Sequence, residues 1–211
     1  MNYSGWELNF FDKSKNFRNY QFSLIKKYLK NKILEIGPGN GTMVDQYISK
    51  YFSDISVSEI DKKLNKTLVK KFKNKKKIKI YKKKINEFKK KFNSIIYSDV
   101  IEHIEDDKKE IKSAFKRLNK NGHLIIMVPA FQFLYSEYDK SIGHYRRYKK
   151  SFFVNFAKKN KIKLVKILYF DSIGFAFLLL GKLINTKNKK SVGLGAFIWN
   201  LLVPFSRIID K

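Results

Sequence analysis

The run ILEIGPGNGTM at residues 33–43 leaves few folds open to this chain. Its apolar start predicts a short strand, three glycines spaced two apart predict a tight turn, and Val44, Tyr47, Ile48 and Tyr51 recur at helical spacing directly afterwards. Glycine adopts positive φ without strain and lets a ligand approach bare backbone, while the turn leaves the first amides of the helix pointing outward. Gly37, Gly39 and Gly41, with Glu35 two residues ahead, therefore predict a cradle for a nucleotide-like ligand. The dinucleotide fingerprint needs its third glycine three positions after the second. Thr42 stands there, so the spacing favours a ligand without a pyrophosphate.

A second acid follows at the right distance. ISVSEID at residues 55–61 reads as a strand ending in Glu59, twenty residues after Gly39, where a ribose diol needs an acceptor. EIGPGNG at 35–41, Glu59, SDVIEHI at 98–104 and the strand HLIIMVP at 123–129 together resemble the class I S-adenosylmethionine-dependent methyltransferases, over most of residues 15 to 150. The resemblance implies S-adenosylmethionine as cofactor. It also implies a doubly wound, mainly parallel α/β sheet, the Rossmann-like methyltransferase fold, and assigns Glu35, the three glycines, Glu59, Ile60, Ile85, Asp99 and Val100 to the cofactor. Lys84 stands where the family usually has an acid, which leaves backbone amides around Ile85 to read the adenine. The N-terminal segment of such enzymes commonly lies over the cofactor, which brings Tyr20 against its methionine part; an aromatic at helical spacing is more often a core residue.

The chain reads as a single domain, 1–211, with an N-terminal helical segment (1–30), a cofactor-binding core (31–130), and a substrate loop, last strand and apolar helical cap (131–211). Further strands are expected at 77–81, 94–98, 124–128 and 161–169. Helices are expected at 62–76, 107–118 (ended by Asn121-Gly122) and 150–159. The alternation predicts right-handed crossovers and a switch point between the first and fourth strands. No stretch suits the antiparallel seventh strand usual in this family. Two apolar runs, 167–184 and 192–203, the second ending at Pro204, read as packed helices; Asp171 and Lys182 interrupt the first, against a membrane span.

The segment PAFQFLYSEYDKSIGHYRRY at 129–148 directly follows a strand end, carries six aromatic rings and holds two of the chain's five arginines. It is similar to a branch of the methyltransferases with a post-strand loop of the form S-E-x-D-x-x-x-G-H-x-R-R-Y. On this resemblance the loop overlooks the transferred methyl and selects the acceptor. His144 is the first candidate for a general base, followed by Asp139 and His103. Tyr138, Tyr145, Arg146 and Arg147 are the candidates to hold the acceptor, the arginines through a carboxylate or phosphate. Two plainer readings stand beside these: Arg146 and Arg147 pairing Glu137 and Asp139, and Glu102 and His103 as helix-start residues.

A net charge of +28 raises the question of nucleic acid. Lysine supplies nearly all of it, and arginine, the better reader of bases and phosphates, is scarce. With no Asn/Asp-Pro-Pro-aromatic motif, a small-molecule or lipid-linked acceptor is expected over RNA; a fold retained only for binding is the third reading. With no cysteine and histidines scattered at 103, 123 and 144, no metal site is expected. The N-terminus lacks a secretory pattern, so the expected location is cytoplasmic. Peripheral contact with the inner face of the membrane is a further reading, through the apolar tail and Lys187, Lys189 and Lys190.

Overall fold

The structure, a computed structural model, describes residues 5, 7–184 and 189–210. Lys187 and residues 1–4 and 6 of the N-terminal stretch lie outside the described residues.

Five strands form one all-parallel sheet in the order β3-β2-β1-β4-β5. They are β1 (Ile33–Ile36), β2 (Ile55–Ser58), β3 (Ile78–Tyr81), β4 (Phe92–Ser98) and β5 (Leu118–Met127). Side chains alternate across a strand, and that alternation builds two cores. Ile33 and Ile96 face one side, with Val44, Ile48, Leu68 and Phe72 packed on them. Leu34, Ile36, Ile95 and Tyr97 face the other, against Phe88, Ile111, Ala114 and Phe156. Both faces are covered, as a parallel sheet requires. On the first side lie α2 (Lys15–Ile25), the short α3 (Thr42–Gln46) and α4 (Lys62–Phe72); on the second lie α5 (Asp107–Lys116) and α7 (Lys150–Lys159). Ile96 is fully buried at the centre, and truncating it to alanine would cost about 2–5 kcal/mol.

The helix termini follow from local chemistry. Asp61 caps α4 by accepting from the amides of Lys63 and Leu64, both at 2.9 Å, and Asp106 caps α5 through Lys109 N–H. Three expectations fail here. Asn121-Gly122 does not end α5, which stops at Lys116; the pair lies within β5, where the register against β4 shifts between Phe92 and Ser94. Residues 161–169 form no strand, and Leu164 and Val165 stay exposed. Their alternation has no ladder to join, because the described part of β5 pairs with β4 only. Pro204 does not end a helix either.

The C-terminal part is two helices, α8 (Ser172–Ile184) and α9 (Lys189–Ile209), and none of the described helices is long and apolar enough to cross a membrane. α9 runs straight through Pro204. Proline removes the N–H that would bond the carbonyl of Asn200. That carbonyl accepts instead from Nδ2 of Asn16 at 3.0 Å, while Oδ1 of Asn200 accepts from the amide of Phe17. α9 therefore docks on α2 through Trp199, Asn200 and Val203, and Asp171 ties the hairpin by accepting from Trp199 and Ser206, both at 2.8 Å. The opposite face of α9 carries Leu194, Phe197, Leu201, Phe205 and Ile208, all exposed.

Candidate active site

The switch point gathers the ends of β1, β2 and β4, where an open parallel sheet binds its ligands. Gly37, Gly39 and Gly41 all have positive φ, at 62°, 56° and 74°. A Cβ on Gly37 would sit 2.8 Å from Val100, and one on Gly41 would sit 2.8 Å from Leu68. Backbone conformation and available space therefore agree on glycine at both. Gly39 faces Leu8 of a further helix, α1 (Leu8–Lys13), which lies over the turn. Asp12 of α1 ties it down, accepting from Asn40 at 2.7 Å and Thr42 at 2.6 Å.

Glu59 is buried at the end of β2, with its carboxylate held by the amides of Asp61, Ile60 and Gly39. Burial raises its carboxyl above the ordinary value, and those amide bonds work against the rise. Beside it Ile60 is 57% exposed, an apolar surface open to a flat ring. Ile85 is fully buried among core residues, so its side chain belongs to the core. Val100 packs on Gly37, and Asp99 takes a positive φ of 56° just after β4.

Two residues unnoticed in the sequence join this end of the site. Arg18 and Gln21 of α2 reach Asp99, at 3.5 Å and 3.4 Å, and Arg18 donates to Gln21 at 2.8 Å. Arg18 leaves its buried Nε without a hydrogen bond, and Glu35 leaves its buried Oε2 the same way. Burial pushes the Glu35 carboxyl up to about 7, with the charge of Arg18 opposing. Unmet cationic and anionic groups side by side fit a zwitterionic amino-acid moiety, which is what the methionine part of S-adenosylmethionine presents. The sequence held one signal for Arg18: arginine is rare in a chain so rich in lysine.

Tyr20 stands elsewhere. Its hydroxyl donates to Asp210 at 2.9 Å, and its ring packs on Phe170 beneath the C-terminal hairpin. The expected contact with the cofactor is replaced by a tie between α2 and α9.

The acceptor loop lies over the end of β4. Its short helix α6 (Glu137–Ser141) presents Asp139, fully buried, to five donor groups at once. Oδ1 takes His144 Nδ1 at 3.0 Å and Arg147 Nε at 2.8 Å; Oδ2 takes Arg147 Nη2 at 3.0 Å and both the amide and hydroxyl of Ser136. Burial alone would raise this carboxyl, but the bonds from His144 and Arg147 outweigh it and hold it below the usual carboxylate range. Arg147 is thus a buried brace, not an open clamp for substrate. Arg146 pairs with Asp107 at 2.9 Å and with the carbonyl of Glu105, and not with Glu137. Of the site-facing tyrosines, Tyr145 is exposed and anchors by its amide to the carbonyl of Glu102, while Tyr138 is partly buried near Asp139. Tyr148 is buried, its hydroxyl on Asp107.

The histidines are not all scattered. His103 and His144 stack edge to face with centroids 4.6 Å apart, and Glu102 completes a cluster with them; His123 is remote, packed against Tyr28. Glu102 caps no helix. It lies in a single 3-10 turn, fully buried, with both oxygens lacking a hydrogen bond among the described residues. His103 is pushed down to about 4 by burial and by His144, with a backbone bond at Gly143 opposing, so it is neutral at physiological pH.

Residues 10–160 match a family model described as a methyltransferase domain. The structure resembles the YcgJ protein of Bacillus subtilis, with a TM-score of 0.61 at 14% identity over 72% of this chain and 74% of that one. It also resembles an S-adenosylmethionine-dependent methyltransferase of Leishmania major, with a TM-score of 0.58 at 14% identity over 76% and 66%. At such identities these likenesses speak to fold. No curated protein matches the sequence. The family match, on this fold and site, defines the class: the chain belongs to the methyltransferase-domain family, as a class I S-adenosylmethionine-dependent methyltransferase. S-adenosylmethionine is its cofactor.

Proposed function

We propose that this enzyme methylates a hydroxyl of a small-molecule or lipid-linked acceptor seated between the Ser136–Tyr148 loop and the end of β4. The observation that carries this reading is the buried pairing of Asp139 with His144, because a carboxylate on Nδ1–H fixes the tautomer and leaves Nε2 as proton acceptor. Tyr135 donates to the His144 carbonyl at 2.6 Å and holds the backbone of the same residue. Asp139 acts through His144, and His103, neutral and beside it, lines the acceptor space. Tyr138 and Tyr145 are the side chains left to contact the acceptor, since both arginines are committed to internal acids.

Glu35, Arg18, Gln21 and Asp99 would hold the amino-acid end of the cofactor, the glycine turn and Val100 its middle, and Glu59, Ile60 and the backbone at Ile85 its adenosine. Bound there, S-adenosylmethionine supplies an electrophilic methyl on a sulfonium. The remaining work of the protein is to position the acceptor oxygen, exclude water and take up its proton at His144 Nε2.

The apolar row on α9 supports a lipid-linked acceptor. Leu194, Phe197, Leu201, Phe205 and Ile208 fall three to four residues apart on one exposed stripe, and a chain carrying +28 is attracted to an anionic surface. We place the enzyme in the cytoplasm, peripheral to the inner face of the membrane. The test is a labelled-cofactor screen of cell extract divided into lipid, small-molecule and RNA fractions, run with native protein and with His144→Ala. Label in the lipid or small-molecule fraction, lost in the variant, is expected; label confined to RNA would overturn the acceptor class, and equal labelling by both proteins would overturn the role of His144.

A further inference from the structure

We propose that Glu102, His103 and His144 bind a divalent transition-metal cation at the acceptor side of this site. The three residues come from two segments 41 positions apart, yet one ligand atom from each falls within 4.8 Å of the others. Glu102 is 0% exposed and neither oxygen has a hydrogen-bond partner among the described residues. A carboxyl buried in that condition either keeps its proton or takes a cation in the proton's place. The nearby arginines do not serve: Arg147 is spent on Asp139 and Arg146 on Asp107.

Both imidazoles are oriented as metal ligands are. His144 gives Nδ1 to Asp139 at 3.0 Å, which turns Nε2 toward Glu102, 3.9 Å from Oε1. His103 is tied to the backbone of Gly143, the residue its Nδ1 faces. A second ring nitrogen held by a carboxylate or carbonyl is the usual outer support of a histidine ligand, since it fixes both ring direction and tautomer. Gly143, with φ at 86°, puts that backbone in place.

Two imidazoles and one carboxylate suit zinc, iron(II), cobalt(II) or manganese(II), and leave open coordination positions; magnesium and calcium prefer oxygen alone. With ligand bonds of roughly 2.0–2.2 Å, the donors need to close by about 1 Å around an ion. What the ion would do rests on the acceptor-site reading above. Its open positions take the hydroxyl oxygen of the acceptor and lower the pKa of that group. The O–H bond then breaks with its proton passing to water, the O–CH3 bond forms, and the C–S bond breaks with its electron pair staying on sulfur. In the loaded protein Nε2 of His144 is a ligand, and the ion replaces it as the means of ionising the acceptor.

The test uses untagged full-length protein freed of metal by chelation. Calorimetric titration with zinc and with magnesium, and cobalt titration followed by visible absorption, need no acceptor. One cobalt or zinc per chain at micromolar affinity or tighter is expected, with magnesium at least a hundredfold weaker. Glu102→Gln, which keeps the side-chain shape, and His103→Ala should each weaken zinc at least tenfold; His123→Ala, remote from the cluster, should not. Absence of one-to-one binding, or native affinity in both Glu102→Gln and His103→Ala, would overturn the site. S-adenosylmethionine affinity measured on the same samples reports separately on folding and on the cofactor end. Its absence in native protein that still binds zinc would count against the methyltransferase reading and leave the metal site standing.

Discussion

Replacing Arg147 by methionine separates a brace from a substrate clamp. Arg147 makes two bonds to Asp139, at 2.8 Å and 3.0 Å, and both side chains are almost fully buried. Hydrogen bonds to charged groups contribute about 1.5–3 kcal/mol each, which brackets the gross loss at about 3–6 kcal/mol. Asp139 keeps His144 and both Ser136 donors, so it is not left bare. The lower end applies, about 3 kcal/mol, the bottom of the range for breaking a buried pair. In a chain of this size each kcal/mol moves the melting temperature by about 2–4 °C, so the midpoint should fall by about 6–12 °C. Thermal melts followed by circular dichroism, with urea curves to check that m is unchanged, make the measurement. Arg146→Met is the comparison: its side chain is 36% exposed, and a loss of about 1 kcal/mol or less is expected once solvent screening is counted. An Arg147→Met protein that melts within about 2 °C of native while its KM for the acceptor rises would refute the brace and restore the clamp.

Glu35 should make stability fall as pH rises. Its folded carboxyl lies at about 7 against an ordinary value of 4.5, so between those values the folded state holds a proton that the unfolded state has lost. Stability declines across that window and levels off above it, by about 3 kcal/mol in all; Glu35→Gln should flatten the dependence in urea titrations at pH 5 and pH 8 and weaken S-adenosylmethionine, and an unchanged slope would count against it. Asp139 has the opposite sign. Its carboxyl is depressed, so its contribution is present above the ordinary carboxylate range and lost as pH falls through its lowered value; Asp139→Asn should be less sensitive to acid than native protein. Glu59→Ala should weaken S-adenosylmethionine by about 1–3 kcal/mol in calorimetry, and unchanged affinity in a folded variant would remove Glu59 from the site. Phe197→Asp with Leu201→Asp should cut sedimentation with anionic vesicles at least about tenfold, with an unchanged circular dichroism spectrum; undiminished sedimentation would free the stripe from any lipid role.

What could be read in the sequence was what is local. The glycine turn, Glu59 and Asp99 sit at strand ends, and strand, turn and acid follow one another within a few residues of chain. Alternation could not announce that residues 161–169 stay out of the sheet, because it specifies a face and not a neighbour to pair with. Local sequence makes Pro204 a helix end, because the rescue of the Asn200 carbonyl comes from Asn16, at the other end of the chain. The acceptor loop was recognisable, yet whether Arg147 meets a ligand or Asp139 depends on the turn of α6. Glu102 and His103 were visible on one segment and His144 on another, and only the packing of the loop over β4 puts them together.

The helices α1 and α2 touch both halves of the molecule's business. At one end Leu8 and Asp12 rest on the glycine turn and Arg18 reaches Asp99; at the other, Asn16, Phe17 and Tyr20 grip α9. They form a shared bridge between the cofactor cradle and the helix that carries the apolar stripe. Any displacement of that bridge that favours one partner must favour or oppose the other by the same free energy, since linkage is reciprocal. Vesicles that tighten S-adenosylmethionine binding would have their own affinity for the protein raised by S-adenosylmethionine in equal proportion. The region that looks most dispensable for chemistry, an outward-facing apolar helix, is thereby packed on the same two helices that rest on the cofactor cradle.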